Sequence, residues 1–371
     1  MYTSEFAYKK ASSVAEAVQL LQQHPDAKLL AGGHSLIPTM KLRLASPSAL
    51  IDISKVAELR GIRRDGDTLI IGAMATHHEI ENSKVVQEAC PMLATTAGTI
   101  GDPAVRYKGT IGGSLAHSDP AADYPALMLA LNAKIKIVGT GGARVVDVDN
   151  FFQGMFDTAV QAGEILTEIH IAVQGHKMAY VNFPHPASRY TLTGVAVMAG
   201  PNWVRAAVTG ATSHATRLVK LENALVNKPL TAENIKAACQ NLVDPSDLMG
   251  DHVASAEYRA HLVNVAAERA LLKAAGMGGT NRAMGRAGAD DIERIEGIGP
   301  KIGQALKAAG IDTYAELAAA RQDQLKGILE KAGLPFAPSL ETWAEQAGYL
   351  ARGDEAGFKK LTDELQGGQR K

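Results

Sequence analysis

Two short phrases combine paired glycines with hydroxyl groups: "AGGHS" at Ala31 to Ser35 and "TIGGS" at Thr110 to Ser114. Paired glycines permit positive φ and leave no Cβ between backbone N–H groups and an approaching anion. Each phrase follows an apolar segment and ends in a serine that can donate a hydrogen bond, so the two together can hold one diphosphate. Neither contains Lys or Arg, which suits binding through backbone dipoles. An ordinary tight turn also uses glycine pairs, and that reading stays open for either phrase alone. Between them lies "GTIGDPAVRYKG", whose basic middle, Arg106 to Lys108, either shapes the loop or faces a partner.

Other chemistries lack their residues. "GTGGAR" at Gly139 to Arg144 misses the GxGxxG spacing and runs into the strand-like "VVDV", so it reads as a hairpin turn. No GxxxxGK[ST] is present, which removes the nucleoside triphosphate loop. Cys90 and Cys239 lie far apart in no CxxC or Cys/His spacing, so they read as plain buried thiols and not as ligands of zinc or an iron–sulfur cluster. No metal ligands and no catalytic acid, base or nucleophile are assigned. His34 reads as a loop histidine without a proton role, and His77 and His78 as a solvated helix start.

A chain of 371 residues, 46% hydrophobic and 21% charged, has room for two or three packed domains. A formal net charge of −1 gives no chain-wide basic field for nucleic acid or an anionic membrane. The N-terminal "MYTSEFAYKKASS" has no apolar h-region and no apolar run reaches eighteen residues, so the expected place is the cytoplasm, or the inner face of the membrane as a peripheral protein, without a membrane span.

The elements that must position the glycine phrases follow from periodicity. "SVAEAVQLLQQ" places Val14, Ala17, Val18 and Leu21 on one helical face behind Ser12 or Ser13 as N-cap. "AKLL" and "ALIDISKV" are strands on either side of the first phrase. "GIRRDGDTLIIG" is a hairpin about Asp-Gly, and "SKVVQEACPMLATTAG" is a helix broken at Pro91. A helix at "YPALMLAL", strands at "AKIKIVG" and "ARVVDV", and a strand at "GEILTEIHIAV" end near Val173. After Gly175 come alternating strands and then helices to Gly276, a second α+β region. The expected divisions are 1–175, itself two α+β subdomains split near 57, then 176–280, a linker at 281–289, and a helical module at 290–371.

Four phrases in order, "AGGHSLIPTMKLRLASPSALIDISKVAELRGI", "TIGDPAVRYKGTIGGSLAHSDPAADYPALMLALNA", "NFFQGMFDTAVQAGEIL" and "FPHPASRYTLTGVAV", resemble the FAD-binding medium subunits of the molybdenum hydroxylases (the xanthine dehydrogenase family), and most of all the carbon monoxide dehydrogenase type. The resemblance runs from about Tyr8 to about Ala275. It implies an α+β fold: an FAD-binding domain of the vanillyl-alcohol oxidase (PCMH) type, then the C-terminal α+β domain typical of these medium subunits. It implies that Ala31, Gly32, Gly33, His34, Ser35 and Leu36, with Thr110, Ile111, Gly112, Gly113 and Ser114, clasp the FAD diphosphate. Ile100 and Gly101 would lie by the flavin, Asp123 would hydrogen-bond the cofactor, Leu166 would be an apolar flavin neighbour, and Tyr190 would cover the isoalloxazine from the second domain. It implies a flavoprotein component that takes electrons from the 2Fe-2S clusters of a small subunit and passes them to an external acceptor. A large subunit would carry molybdopterin-bound molybdenum, and the whole would be a dimer of heterotrimers, a heterohexamer.

Some readings stand beside these. From spacing alone Asp123 is an N-cap for "YPALMLAL", and Tyr190 a core aromatic of a strand. Many members of the family carry a lysine on the strand before the tyrosine; here Asn182 and Pro184 stand in "VNFPHPASRY", and Arg189 is the cation available to replace it. "IERIEGIGPKIGQALKAAGIDTYAELAAA" resembles a helix-hairpin-helix module. Its region, 290–371, holds eleven Lys/Arg against fourteen Asp/Glu, a poor surface for a nucleic-acid phosphate, so a protein-interaction role is expected, with Trp343, Tyr349 and Phe358 offered to a partner or to its own core. Rival functions are a self-contained FAD-dependent oxidase of the same fold and a DNA-associated protein acting through the C-terminal module.

Overall fold

The computed structural model describes residues 2–173, 175–277, 290–334, 338–366 and 368–370. They fall into two compact units, Met1–Gly278 and Gly279–Lys371. The expected linker at 281–289 lies outside the described residues.

The first unit begins with β1 (Ala7–Lys10), α1 (Val14–Gln23), β2 (Lys28–Leu30), α2 (Leu36–Lys41) and β3 (Ala49–Asp52). The strands form a parallel sheet in the order β1-β3-β2. Ser13 is the cap of α1, its hydroxyl accepting from the Glu16 N–H at 3.1 Å. Val14, Ala17 and Val18 are buried against Ala49 and Ile51, while Leu21 stays partly exposed.

Next come β4 (Ile62–Asp65), β5 (Thr68–Gly72), α3 (His77–Asn82), α4 (Lys84–Ala89), α5 (Pro91–Ala97), α6 (Pro103–Arg106), α7 (Ile111–His117), α8 (Asp123–Ala130), β6 (Lys134–Gly139), β7 (Gly142–Asp147), β8 (Phe152–Gly154), β9 (Asp157–Thr158) and β10 (Ile165–Ala172). Five of these strands make an antiparallel sheet, β4-β5-β10-β6-β7. Its inner face, with Leu69, Ile71, Ile135, Ile137 and Ile169, packs with α5 and α8 in one core. Every residue of α8 from Tyr124 to Ala130 is buried, as expected of a helix apolar on all sides.

The chain then forms β11 (Lys177–Pro184), β12 (Thr191–Ala199), β13 (Val204–Thr209), β14 (Thr216–Arg217), α9 (Val219–Leu225), α10 (Ala232–Ala238) and α11 (Ala256–Ala274). The four strands are antiparallel in chain order. One face of this sheet, through Val195 and Val197, is covered by Val263, Ala267 and Leu271 of α11. The other, through Ala196, Met198 and Ala207, joins the core around α8. A strand buried on both faces carries a continuous apolar run, which is what "GVAVMA" in β12 shows.

Among its described residues the second unit contains a 3₁₀ turn at Ile292–Arg294 and the helices α12 (Pro300–Ala308), α13 (Tyr314–Ala319), α14 (Gln322–Lys331), α15 (Leu340–Ala351) and α16 (Glu355–Glu364). The "GIGP" hairpin thus joins a single 3₁₀ turn to α12, where the sequence suggested two helices. Gly297 takes φ +95° there. Trp343 is fully buried with Leu306, Leu317 and Leu325, and its indole N–H donates to Ser339 Oγ at 3.1 Å. Phe358 packs against the same cluster, so these aromatics serve the unit's own core.

Among the described residues no helix is long and apolar enough to cross a membrane, and no group of three or more His, Cys, Asp or Glu is placed to hold a metal ion. Both cysteines are buried and free. Burial pushes the Cys90 thiol up to about 11 and Cys239 up to about 12, so neither is a thiolate at neutral pH.

The large sheet carries one strong charge cluster. Glu168 accepts from Arg63 at 2.7 Å, Lys136 at 3.0 Å and His170 at 3.1 Å. Burial alone would raise this carboxyl, but the hydrogen bonds from Arg63, Lys136 and His170 outweigh it and hold the group at about 2. A depressed folded-state value stabilises the fold above the unfolded carboxyl range and loses that stability as pH falls toward 2. Glu168→Gln is therefore expected to lower stability at pH 7 by about 1–2 kcal/mol. Denaturant melts should show the difference from the parent shrinking between pH 4.5 and pH 2.

Candidate functional site

The first glycine phrase forms the turn between β2 and α2. Gly33 has φ +73°, a conformation that glycine adopts without strain. Among the described residues, the backbone N–H groups of Gly32, Gly33, His34 and Ser35 donate to no protein acceptor. His34 Nδ1 lies 3.0 Å from the Gly32 carbonyl, which folds the loop on itself. Ser35 occupies the N-cap position of α2 without making a side-chain cap, so its hydroxyl is free of that duty, and Leu36 opens the helix.

The second phrase starts α7. Thr110 caps it, Oγ1 accepting from the Gly113 N–H at 3.1 Å. Ile111 donates to the Ala75 carbonyl at 3.0 Å and Gly112 to that of Ala73 at 2.9 Å, while Ser114 donates to Thr110 at 3.0 Å. The two phrases therefore differ: AGGHS presents open donors, and TIGGS has its donors engaged. What TIGGS contributes is proximity. A Cβ on Gly112 would sit 2.5 Å from Ala73 Cβ and 2.6 Å from its carbonyl oxygen, so that glycine seats the helix start directly on the strand end. Gly113 is only partly buried, and a Cβ there would come within 3.9 Å of Ala31.

The phrases meet through a third stretch. A Cβ on Gly32 would collide with the Lys108 carbonyl and lie 3.0 Å from Gly109 Cα. The basic middle holds this stretch in shape. Arg106 donates to the Gly101 carbonyl at 3.0 Å and the Ile100 carbonyl at 3.4 Å, and pairs with Glu81 at 3.3 Å. Gly101 takes φ +57°, and Ile100 packs against the core edge. Tyr107 is exposed and stacks on His78 with ring centroids 4.0 Å apart.

His77 is not part of a solvated helix start. Its backbone belongs to the first turn of α3, but its ring is buried, with Nδ1 3.1 Å from the Tyr124 hydroxyl. Burial, then the charges of His34 and Arg106, lower it from 6.5 to about 4. The sequence showed only two adjacent histidines; that one points inward depends on α3 packing on α5, which brings the ring to Tyr124.

Asp123 is the first residue of α8 and not its N-cap; Ala122 holds that position and no side chain caps the helix. One carboxylate oxygen, Oδ1, accepts from the Tyr180 hydroxyl at 2.5 Å, the Thr191 hydroxyl at 2.7 Å and Asn182 Nδ2 at 3.1 Å. Burial raises this carboxyl above its ordinary value, against the pull of those three hydrogen bonds. Asn182 also donates to Thr191 Oγ1 at 2.9 Å. Three neutral donors thus gather on Asp123, and no lysine is among them. Sequence reasoning missed Tyr180 and Thr191, and noticed Asn182 only as an absent lysine.

Adjacent backbone bonds join the same strands to the segment before α8: Thr191 N–H to the Ala121 carbonyl at 3.3 Å, and Gly210 N–H to that of Pro120 at 2.7 Å. Tyr190 follows a turn, His185 N–H to the Tyr190 carbonyl at 2.7 Å, and is 52% exposed, so it is no core aromatic. Burial and the nearby Asp119 raise its phenol. Arg189 sits in that turn, exposed and with φ +63°. Leu166 is buried in β10 next to a bulge. Its neighbour Thr167 accepts from Ala73 N–H at 2.9 Å, and Ala73 in turn accepts from Gly112, so the sheet and TIGGS share one ladder.

A row of unpaired donors over a glycine-lined wall fits an extended cofactor with a diphosphate, and the fold around it is that of a two-layer α+β domain carrying a second α+β domain. Known proteins agree. Residues 4–173 match the family model described as "FAD binding domain in molybdopterin dehydrogenase". Residues 179–274 match "CO dehydrogenase flavoprotein C-terminal domain", and residues 292–351 match "RS2/RL21/YNQ2 HHH domain". The chain is 39% identical over 283 residues to the carbon monoxide dehydrogenase medium chain of Hydrogenophaga pseudoflava, covering 73% of this chain and 97% of that one. It is 35% identical over 272 residues to the nicotine 6-hydroxylase medium subunit of Paenarthrobacter nicotinovorans, covering 72% and 96%. A solved structure of the H. pseudoflava carbon monoxide dehydrogenase, in a form lacking the Mo-pyranopterin moiety, superposes with a TM-score of 0.71 over 74% of this chain and 99% of that chain. The chain belongs to the FAD-binding medium subunits of the molybdopterin-dependent dehydrogenases, and is an oxidoreductase subunit.

Substitutions at three positions probe this geometry. Gly112→Ala forces a Cβ against backbone and is expected to destabilise by about 2–4 kcal/mol, whereas Gly113→Ala, whose nearest neighbour would be the Thr110 cap hydroxyl at 2.8 Å and no backbone atom, costs less. Paired thermal melts check the order. Asp123→Ala strips three donors of their shared acceptor and is expected to cost about 2–4 kcal/mol, while Asp123→Asn costs less; denaturant titration reads both.

Proposed function

We propose that this chain is the electron-relaying flavoprotein of a three-part molybdenum hydroxylase, with FAD lying across the AGGHS and TIGGS phrases. The observation that carries the reading is the run of four open N–H groups at residues 32–35 facing a stretch that only glycine can approach. In this reading Ala31 to Leu36 hold the diphosphate by backbone donors, and the Ser35 hydroxyl adds one more. Thr110 to Ser114 form the opposite wall, with Ile100, Gly101 and Leu166 toward the flavin. Asp123 orients the cofactor while Tyr180, Asn182 and Thr191 orient Asp123. Tyr190 covers the ring from the second domain.

FAD supplies single-electron chemistry, accepting electrons one at a time and releasing them in ones or twos. The chain's own residues bind and orient it and exclude water; none acts as nucleophile or general acid. Electrons would arrive from the 2Fe-2S clusters of a small subunit, after substrate oxidation at molybdopterin-bound molybdenum in a large one, with two heterotrimers in the assembly. Arg189, turned outward in an exposed turn, is available to a partner or acceptor. The domain divisions at 175, 280 and 290, a cytoplasmic place and the absence of a nucleic-acid role for the acidic C-terminal module belong to the same proposal.

Purified and reconstituted protein should be yellow and hold one FAD per chain, measured by its visible spectrum after desalting. Affinity capture of the native protein should bring a large and a small dehydrogenase subunit with it. Colourless protein would overturn the cofactor reading; turnover of a substrate by the isolated chain would favour the self-contained oxidase, and capture of nucleic acid the DNA-associated alternative.

A further inference from the structure

His77 is the buried titratable group nearest the glycine loops that the proposed cofactor contacts do not use. Its ring lies between two elements that both lead to the site. On one side is Tyr124, centroid distance 5.3 Å, whose hydroxyl is 3.1 Å from Nδ1. On the other is Gly109, so close that a Cβ there would sit 2.6 Å from His77 Nε2 and 2.8 Å from Cδ2. Gly109 belongs to the Lys108–Gly109 peptide against which Gly32 packs, and it immediately precedes the cap of α7. The His77 backbone ties the same point, donating to the Gly109 carbonyl at 3.0 Å. Tyr124 adjoins Asp123, the acceptor for the second domain. One side chain therefore touches both the junction of the two phrases and the helix that carries Asp123.

We propose that His77 is a positioning residue for the cofactor: its imidazole is a wedge that sets how far the Lys108–Gly109 backbone stands from α8, and so where AGGHS lies against TIGGS. The proposal rests on the reading that FAD binds across those phrases. Charge would spoil the wedge. Arg106, paired with Glu81, and His34 face this space from the neighbouring loops, and Tyr124 and Asp123 from α8. A ring that is neutral at physiological pH, with its titration lowered to about 4, adds bulk and one hydrogen bond without placing another cation beside Arg106. Tyr124, whose phenol is pushed far up by burial first and then by Asp123 and Glu81, stays protonated as its partner.

The test is the FAD dissociation constant of the full chain at pH 7.5, read by quenching of flavin fluorescence, alongside a thermal melt of the cofactor-free protein. His77→Ala is expected to weaken FAD at least tenfold, and His77→Gln, neutral and able to bond Tyr124, to stay within about threefold of the parent. Gly109→Ala, which drives a methyl into the ring, is expected to weaken FAD tenfold with His77 present. Combined with His77→Ala it should recover to within about threefold, because the new methyl occupies space the ring vacated. Unchanged affinity in a folded His77→Ala, or losses in the two single variants that multiply in the double, would overturn the wedge. Should His77→Ala fail to fold, Gly109→Ala decides alone, and FAD affinity equal to the parent's would overturn the proposal. A parent chain that binds no FAD would instead sink the cofactor reading beneath it.

Discussion

The site depends on backbone meeting backbone without a side chain between. At Gly32 the first loop lies directly on the Lys108 carbonyl, and at Gly112 the start of α7 lies directly on Ala73. Neither approach survives a Cβ. Because both contacts are made by main chain, the loops inherit the rigidity of the elements behind them: β2 and α2 for the first, β5, β10 and α7 for the second. A pair of loops so fixed can present donors at a spacing that does not have to be rebuilt when a cofactor arrives.

That constraint also divides the labour between two phrases that look alike in sequence. Both have paired glycines and a terminal serine, yet their N–H groups go to different places. In TIGGS they complete a ladder with Ala73 and Ala75, the price of bringing a helix start onto a sheet. In AGGHS they are left open, because β2 has ended and α2 has not yet begun its own hydrogen bonds. Glycine provides closeness in both phrases, and only in AGGHS does it also leave donors exposed. The glycine pairs are the same where function differs, since what separates them is the partner strand, which lies elsewhere in the chain.

Much of the fold was legible because it follows local rules. The cap at Ser13, the break at Pro91, the hairpin in place of a dinucleotide loop at Gly139 to Gly142, and the end of α11 at Gly276 each follow from one residue type in one position. The cofactor phrases were legible through resemblance more than physics. What escaped depended on contacts distant in sequence. His77 and His78 look alike as adjacent residues at a helix start; the packing of α3 on α5, with the Tyr124 hydroxyl of α8 at the ring, turns His77 inward while His78 stacks on Tyr107. Asp123 had the spacing of a helix cap, and its carboxylate became an acceptor for Tyr180, Asn182 and Thr191 because β11 and β12 arrive from 57 to 68 residues away. The aromatics of the C-terminal module had two possible uses, and the burial of Trp343 chose its own core.

The Asp123 cluster carries an electrostatic consequence that the family pattern would not suggest. A buried carboxylate is ordinarily compensated by a cation or moved toward its protonated form. Here, among the described residues, no ion pair reaches it; three neutral donors do, all on one oxygen. Neutral donors stabilise the charge less than a lysine would, which is why burial still raises the carboxyl. They also bring no cation into contact with Asp123: Arg189 stands on the surface in its turn, and the buried Arg259 is engaged with the Leu192 and Gly210 carbonyls and with Asp251. A lysine at position 182 would have satisfied Asp123 and added a cation to whatever lies beside it. Asparagine satisfies it and adds none. At Asp123 the second domain is thereby tied to the start of α8 by dipoles, while Arg205 of β13 ties the end of the helix, donating to the Leu129 carbonyl at 3.2 Å and pairing with Asp149 at 3.0 Å.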